Sequence, residues 1–210
     1  MATALLINGS PNAKGCTYTA LREIADVLEQ EGFETEIVQF GVEPIRGCLS
    51  CGYCENGDGC VIEDKVNEVR PKFAEADALI VGSPVYYGSP NGNLISFLDR
   101  LFYSKAGIDV RMKVGASVVS CRRAGNTASF DVLNKYFTIS QMPVASSNYW
   151  NNVHGFTAED VLKDKEGLQT MRTLARNIAF LVRAIADAKE KYGLPEREAV
   201  REFTSFPDGK

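Results

Sequence analysis

ALLINGSPNAKGCTYTALREIADVL, residues 4–28, reads as a strand, a polar turn and a helix in immediate succession. Ala4–Ile7 is a continuous apolar run, as a strand buried on both faces of a parallel sheet requires. Asn8-Gly9-Ser10-Pro11 stops it. Leu21, Ile24, Ala25 and Leu28 then share one helical face, and Gly32 stands where a C-terminal cap belongs. The unit recurs. Thr35–Phe40, Ala78–Val81 and Val114–Val119 read as further strands, with Val144–Ser147 as a short fifth. Between them lie a helix from Asp64 carrying Val66, Val69 and Phe73, a second over Leu94–Phe102 and a third over Thr127–Ser140. Pro71 predicts a kink or an early end in the first of these. A long helix over about 166–191 closes the pattern.

Strand–helix alternation of this kind implies a parallel sheet covered on both faces. Five strands in roughly 150 residues suit an α/β flavodoxin-like doubly wound fold, strand order 2-1-3-4-5. The reading is one domain over residues 1–192, with a cysteine loop at 47–61 inserted after strand two and a charged tail at 193–210. A net charge of −4 and a pI near 5.2 give no broad surface for nucleic acid or an anionic membrane. No apolar run approaches the roughly 20 residues of a membrane span. The first residues lack the basic stretch of a signal peptide, so the expected location is cytoplasmic.

Ligands of such sheets bind beyond the carboxyl ends of the strands. Three segments fall there. Gly9–Thr17 is rich in hydroxyls and glycine and opens a helix, so its N–H groups, with Ser10 and Thr17, suit a mononucleotide phosphate; an ordinary polar turn is the alternative. Gly82–Gly92 holds Tyr86 and Tyr87 in a proline- and glycine-braced loop, where a flat ring would lie or where the tyrosines simply plug a crevice. Ser120–Thr127 offers N–H groups with Arg122 and Arg123 for negative charge on such a ring, unless the arginines pair with surface carboxylates.

Cys48, Cys51, Cys54 and Cys60 make the run C-x2-C-x2-C-x5-C inside GCLSCGYCENGDGC. Thiolates so spaced on a glycine-broken loop suit a [4Fe–4S] cluster. All-cysteine zinc and an empty or partly oxidised loop stay open. Cys16 reads as a small residue at a tight turn or as a helix-start thiol of lowered pKa, and Cys121 as packing. His154, the single histidine, follows Trp150 in an aromatic, amide-rich stretch and is either a proton donor or merely structural. Asp99-Arg100 reads as a surface or interface ion pair.

GSPNAKGCT, GSPVYYGSPNGNLISFLDR and SCRRAGNTASFDVLNKYF together resemble the flavodoxin-like NAD(P)H-dependent FMN reductases over residues 3–155, and the cysteine run resembles their iron–sulfur flavoprotein branch. The resemblance implies bound FMN, electron transfer, and assembly as a homodimer or homotetramer. It implies Ser10, Asn12, Gly15, Cys16 and Thr17 at the FMN phosphate. It places Pro84, Val85, Tyr86 and Tyr87, with Ser120, Arg122, Arg123, Ala124, Gly125 and Asn126, around the ring. Asn12 and Cys16 depart from the family pattern, which leaves more of the phosphate to the backbone. The expected function is an FMN-dependent oxidoreductase with NAD(P)H as transient donor. A small molecule or a ferredoxin-like redox protein would exchange electrons with it, and a cluster would relay single electrons. The rivals are a non-enzymatic electron carrier and a metal-stabilised interaction module.

Overall fold

In β1 (Thr3–Asn8) successive side chains turn to opposite faces, and both faces are buried. Leu6 enters one apolar core and Leu5 and Ile7 the other. The same division holds in β3 (Ala78–Tyr86) and β4 (Val114–Cys121), where Ile80 and Val118 face the first core and Leu79, Val81 and Val119 the second. Two buried faces on one sheet demand two layers of helices. The computed structural model, which describes residues 1–40, 42–200, 202 and 204, has them.

β2 (Glu34–Gln39) and β5 (Asn152–His154) complete a parallel sheet in the order β2-β1-β3-β4-β5, so the expected flavodoxin-like topology is found. Register runs straight across it, with Leu6 opposite Ile37 on one side and Ile80 on the other. α1 (Cys16–Gln30) and α6 (Lys165–Tyr192) cover one face. α2 (Lys65–Glu75), α3 (Gly92–Tyr103) and α4 (Asn126–Thr138) cover the other. α5 (Ala158–Val161) is a single turn. On the second face Phe40 stacks tilted on Phe97 at 4.4 Å and Phe73 on Phe102 at 5.3 Å. Each fully buried side chain of that size contributes roughly 1.5–3 kcal/mol.

Three expectations need correction. The fifth strand is Asn152–His154, not Val144–Ser147. Val144 makes only an isolated bridge with Gly115, after which the chain leaves the sheet. The buried amide of Asn151 donates to the Ser117 carbonyl at 3.1 Å and so occupies an acceptor that a strand there would have used. Secondly, α2 continues past Pro71 to Glu75, so of the kink and the early end expected there the early end is not found. Thirdly, β3 runs beyond Val81 to Tyr86, so Ser83 and Pro84 still pair with Val119 and Ser120 of β4. The tail is held at its start, where Arg111 donates to the Pro195 carbonyl at 2.9 Å and Arg197 meets Asp109 at 3.0 Å. Of the tail expected at 193–210, residues 201, 203 and 205–210 lie outside the described residues. Among the described residues no helix is long and apolar enough to cross a membrane.

Candidate functional site

The rim of the sheet is built from buried polar bonds between consecutive βα loops. Asn8, wholly buried at the end of β1, accepts the Ser10 N–H at 3.2 Å through its side-chain oxygen and donates to Gln39. Ser10 Oγ in turn accepts the Asn12 N–H at 3.1 Å, while Gln39 donates to the Ser10 carbonyl at 2.7 Å. Gly9 donates to the Gly82 carbonyl at 2.9 Å, and Asn91 reaches back to the Gly9 carbonyl at 2.9 Å. Gly9 must lack a side chain, because a Cβ would stand 2.6 Å from Leu94 Cδ2 and 2.9 Å from the Gly82 carbonyl oxygen. The buried hydroxyls of Thr17 and Ser120 lie 2.8 Å apart and join the first loop to the third. Gly125 packs on Val85 and Gly88 and joins the third loop to the second.

The helix starts differ. Asp64, Asn91, Thr157 and Asp164 cap α2, α3, α5 and α6 with side-chain oxygens. α1 and α4 begin at Gly15 and Gly125 with no side-chain cap and no acidic residue in the first turn. Their free N–H groups and positive dipole ends open on the rim, where they favour an anion. Lys14, Arg122 and Arg123 are exposed beside them and form no ion pair among the described residues, so the surface-pair alternative for the arginines is not what the fold shows. Tyr86 is half-exposed. Tyr87 is fully exposed at φ +51°, a left-handed position that a bulky residue seldom occupies. Tyr149 and Trp150, in edge contact at 4.9 Å, are exposed on the segment that enters β5 and so lie before that strand and not beyond its carboxyl end. Uncapped helix starts, unpaired cations and flat exposed rings at one rim fit an aromatic mononucleotide such as FMN.

The candidate residues divide accordingly. Ser10, Thr17 and Ser120 are buried and bonded within the protein, while Asn12, Gly15 and Asn126 stand at the opening; the Asn12 N–H is held by Ser10 Oγ and the Gly15 N–H by the Asn12 carbonyl, which leaves the N–H groups of the first turns of α1 and α4 for an anion. Pro84 and Val85 lie on the last part of β3, and Ala124 is exposed in the turn before α4. Cys16 donates to the Gly155 carbonyl at 3.6 Å, and burial pushes its thiol pKa up, so the lowered-pKa alternative is not found. Burial does the same to Cys121. His154 ends β5, but its ring turns to Asp164 at the head of α6, with Nδ1 3.7 Å from the carboxylate.

The cysteine loop is a second, separate construction. Cys48, Cys51, Cys54 and Cys60 are free thiols lining one cavity with Leu49, Val61, Ile62 and Tyr103. Gly52 and Gly57, both at positive φ, bracket the single 3-10 turn Tyr53–Asn56 that turns Cys54 inward. Asn67 clamps the Cys60 backbone, accepting its N–H at 2.9 Å and donating to its carbonyl at 2.8 Å. Arg70 binds the carbonyls of Ser104, Gly57 and Ala106 at 2.7–2.8 Å. Burial raises the Cys54 thiol, and its three neighbouring cysteines raise it further. Among the described residues no three His, Cys, Asp or Glu side chains are close enough to hold a single metal ion. Four thiols around one cavity with an apolar wall fit the donor set of a [4Fe–4S] cluster.

Sequence reasoning mistook Arg100. It does not pair with Asp99, which instead accepts from the Tyr136 hydroxyl at 2.5 Å. Arg100 is 1% exposed and bonds to Asp64 at 2.5 and 3.0 Å and to Cys60 Sγ at 3.2 and 3.3 Å. Its place in the apolar row Leu94, Phe97, Leu98, Leu101 was the available signal, since a cation on that face needs a buried partner.

A family model described as NADPH-dependent FMN reductase matches residues 2–157. An iron–sulfur flavoprotein of Methanocaldococcus jannaschii is 32% identical over 186 residues, covering 85% of this chain and 96% of that protein. An iron–sulfur flavoprotein of Methanosarcina thermophila is 29% identical over 188 residues, covering 88% and 97%. The solved structure of a WrbA-like flavodoxin from Agrobacterium tumefaciens shares the fold, with a TM-score of 0.60 at 15% identity over 88% of this chain and 99% of that one.

Proposed function

The chain belongs to the NADPH-dependent FMN reductase family, and from that premise we propose that it is an FMN-dependent oxidoreductase of the iron–sulfur flavoprotein kind, with NAD(P)H as transient donor. The observation that carries the reading is the meeting of three loops at one rim, with the two uncapped helix starts among them. The N–H groups at the start of α1, with Ser10, Asn12, Gly15, Cys16 and Thr17 around them, would hold the phosphate. Pro84–Tyr87 and Ser120–Asn126 would frame the ring, and the α4 start with Arg122 and Arg123 would stabilise negative charge there. Bound FMN would supply the acceptance of hydride and the release of single electrons. Tyr87 would shield that chemistry from water. Cys48, Cys51, Cys54 and Cys60 would hold a [4Fe–4S] cluster, whose contribution is one-electron transfer. The cysteine cavity touches Tyr103 and Ser104, whereas the flavin rim meets the other end of α3 at Asn91. Its 12 residues span roughly 18 Å at about 1.5 Å per residue. That separation favours assembly into a homodimer or homotetramer, in which a second copy shortens the gap.

The test is anaerobic. Purified protein, loaded with FMN, is mixed with NADH or NADPH and the flavin absorption followed. Bleaching by either nicotinamide is the expected result. Flavin that neither donor bleaches, but reduced ferredoxin does, refutes the reductase and leaves an electron carrier. Protein that takes up no FMN refutes both.

A further inference from the structure

The four thiols are not equivalent. Cys48 Sγ accepts one neutral N–H, from Ser50, at 3.4 Å. Cys54 Sγ lies 4.0 Å from the Tyr103 carbonyl. Cys60 Sγ alone among them, within the described residues, accepts from a cation: Nε and Nη2 of Arg100 reach it at 3.3 and 3.2 Å. The guanidinium that makes these bonds is sealed from water and cannot swing away, because Asp64 and the carbonyls of Arg46 and Ile62 take its remaining donors. Its partner sulfur is fixed equally well by the Asn67 clamp on the Cys60 backbone.

We propose that Arg100 raises the reduction potential of a cluster held on these thiols, acting as a positioning and tuning residue through Cys60. The inference rests on the cluster reading above and goes beyond it by naming what sets the potential. Reduction adds one electron to a set of metal and thiolates that is already negative. A buried cation bonded to one of the sulfurs stabilises the extra charge, and hydrogen bonds to the sulfurs are a recognised determinant of such potentials. Burial also keeps solvent and salt from screening it. Asp64 acts with the opposite sign, since its carboxylate offsets part of the Arg100 charge.

The test uses the full chain, purified without oxygen, with iron and acid-labile sulfide counted in each sample. Midpoint potentials are measured by dithionite titration with mediators, monitored by electron paramagnetic resonance. R100Q should lower the midpoint by about 59 mV or more, which is about tenfold in the one-electron equilibrium constant. R100K keeps the charge without the fork and should lower it less. D64N removes a negative charge while asparagine still caps α2, and should raise it. If R100Q does not fold, the opposite signs of R100K and D64N decide. Variants with a full cluster and an unmoved potential overturn the proposal, as does a D64N shift of the same sign as that of R100K, which is what mere loosening would give. A wild-type chain without iron and sulfide overturns the cluster reading instead, and the proposal with it.

Discussion

Replacing Gly125 by alanine would wedge apart two of the loops that make the proposed flavin rim. Gly125 sits at φ +88°, where an L-residue is disfavoured by about 1–2 kcal/mol. A Cβ there would lie 2.8 Å from both Gly88 Cα and Val85 Cγ1. Neither is the loose end of a flexible side chain, so the backbone must move, and overpacking of this kind costs about 1–3 kcal/mol. The sum is about 2–5 kcal/mol. Gly88 provides the control. It has φ +78° and nothing within 4 Å of its own Cβ, so G88A carries the strain alone, about 1–2 kcal/mol. In a chain of this size each kcal/mol lowers Tm by roughly 2–4 °C. Thermal melts of the apo protein should therefore fall by about 2–8 °C for G88A and about 4–20 °C for G125A. FMN affinity, read by fluorescence quenching, should drop at least about tenfold in G125A, equivalent to about 1.4 kcal/mol, and less in G88A. Equal losses in the two variants would refute the idea that close contact between these loops shapes the site.

The bond between Thr17 and Ser120 should show coupling. T17V or S120A alone strands a buried hydroxyl and should destabilise by about 1–3 kcal/mol in urea melts, whereas the double variant should cost less than the sum. N67A removes both bonds on the Cys60 backbone and should lower iron and sulfide per chain after anaerobic purification, with little change in FMN content. At Asp109 the hydrogen bonds from Arg111 hold the carboxyl well below its usual range. As pH falls below about 4 the unfolded chain takes up this proton before the native one does, so stability drops there. D109N should be less stable at neutral pH and should flatten that acid limb in a pH series of denaturant melts.

Strand order and the edge at which the three polar loops meet were legible because they follow from period. Apolar runs such as Ala4–Ile7 and the i, i+3, i+4 stripe of α1 leave few other arrangements, and chain topology then sends the three polar loops to one edge. The fifth strand was not legible. Val144–Ser147 has the stronger strand composition, but Asn151, a polar residue that no periodicity marks, bonds the Ser117 carbonyl and delays pairing until Asn152. Arg100 was missed for a similar reason. Its partners Cys60 and Asp64 lie 40 and 36 residues away, and adjacency to Asp99 suggested a pairing that helix geometry forbids, because neighbours in sequence point apart.

α3 links the two constructions. At its start Asn91 binds the Gly9 carbonyl, and Leu94 fills the space that the missing side chain of Gly9 leaves. Farther along, Arg100 holds Cys60, and Arg70 fastens the cysteine loop to the Ser104 carbonyl just past the helix end. A helix buried along one face by Leu94, Phe97, Leu98 and Leu101 does not flex by the many ångströms that would bring its ends together. The length of α3 between the candidate flavin rim and the cysteine cavity is therefore a fixed property of the fold. On the proposed reading, electrons would pass between the two through what binds at the ends of this helix, and the exposed ring of Tyr87 at one end and the cysteine cavity at the other are where a second copy of the chain would be sought.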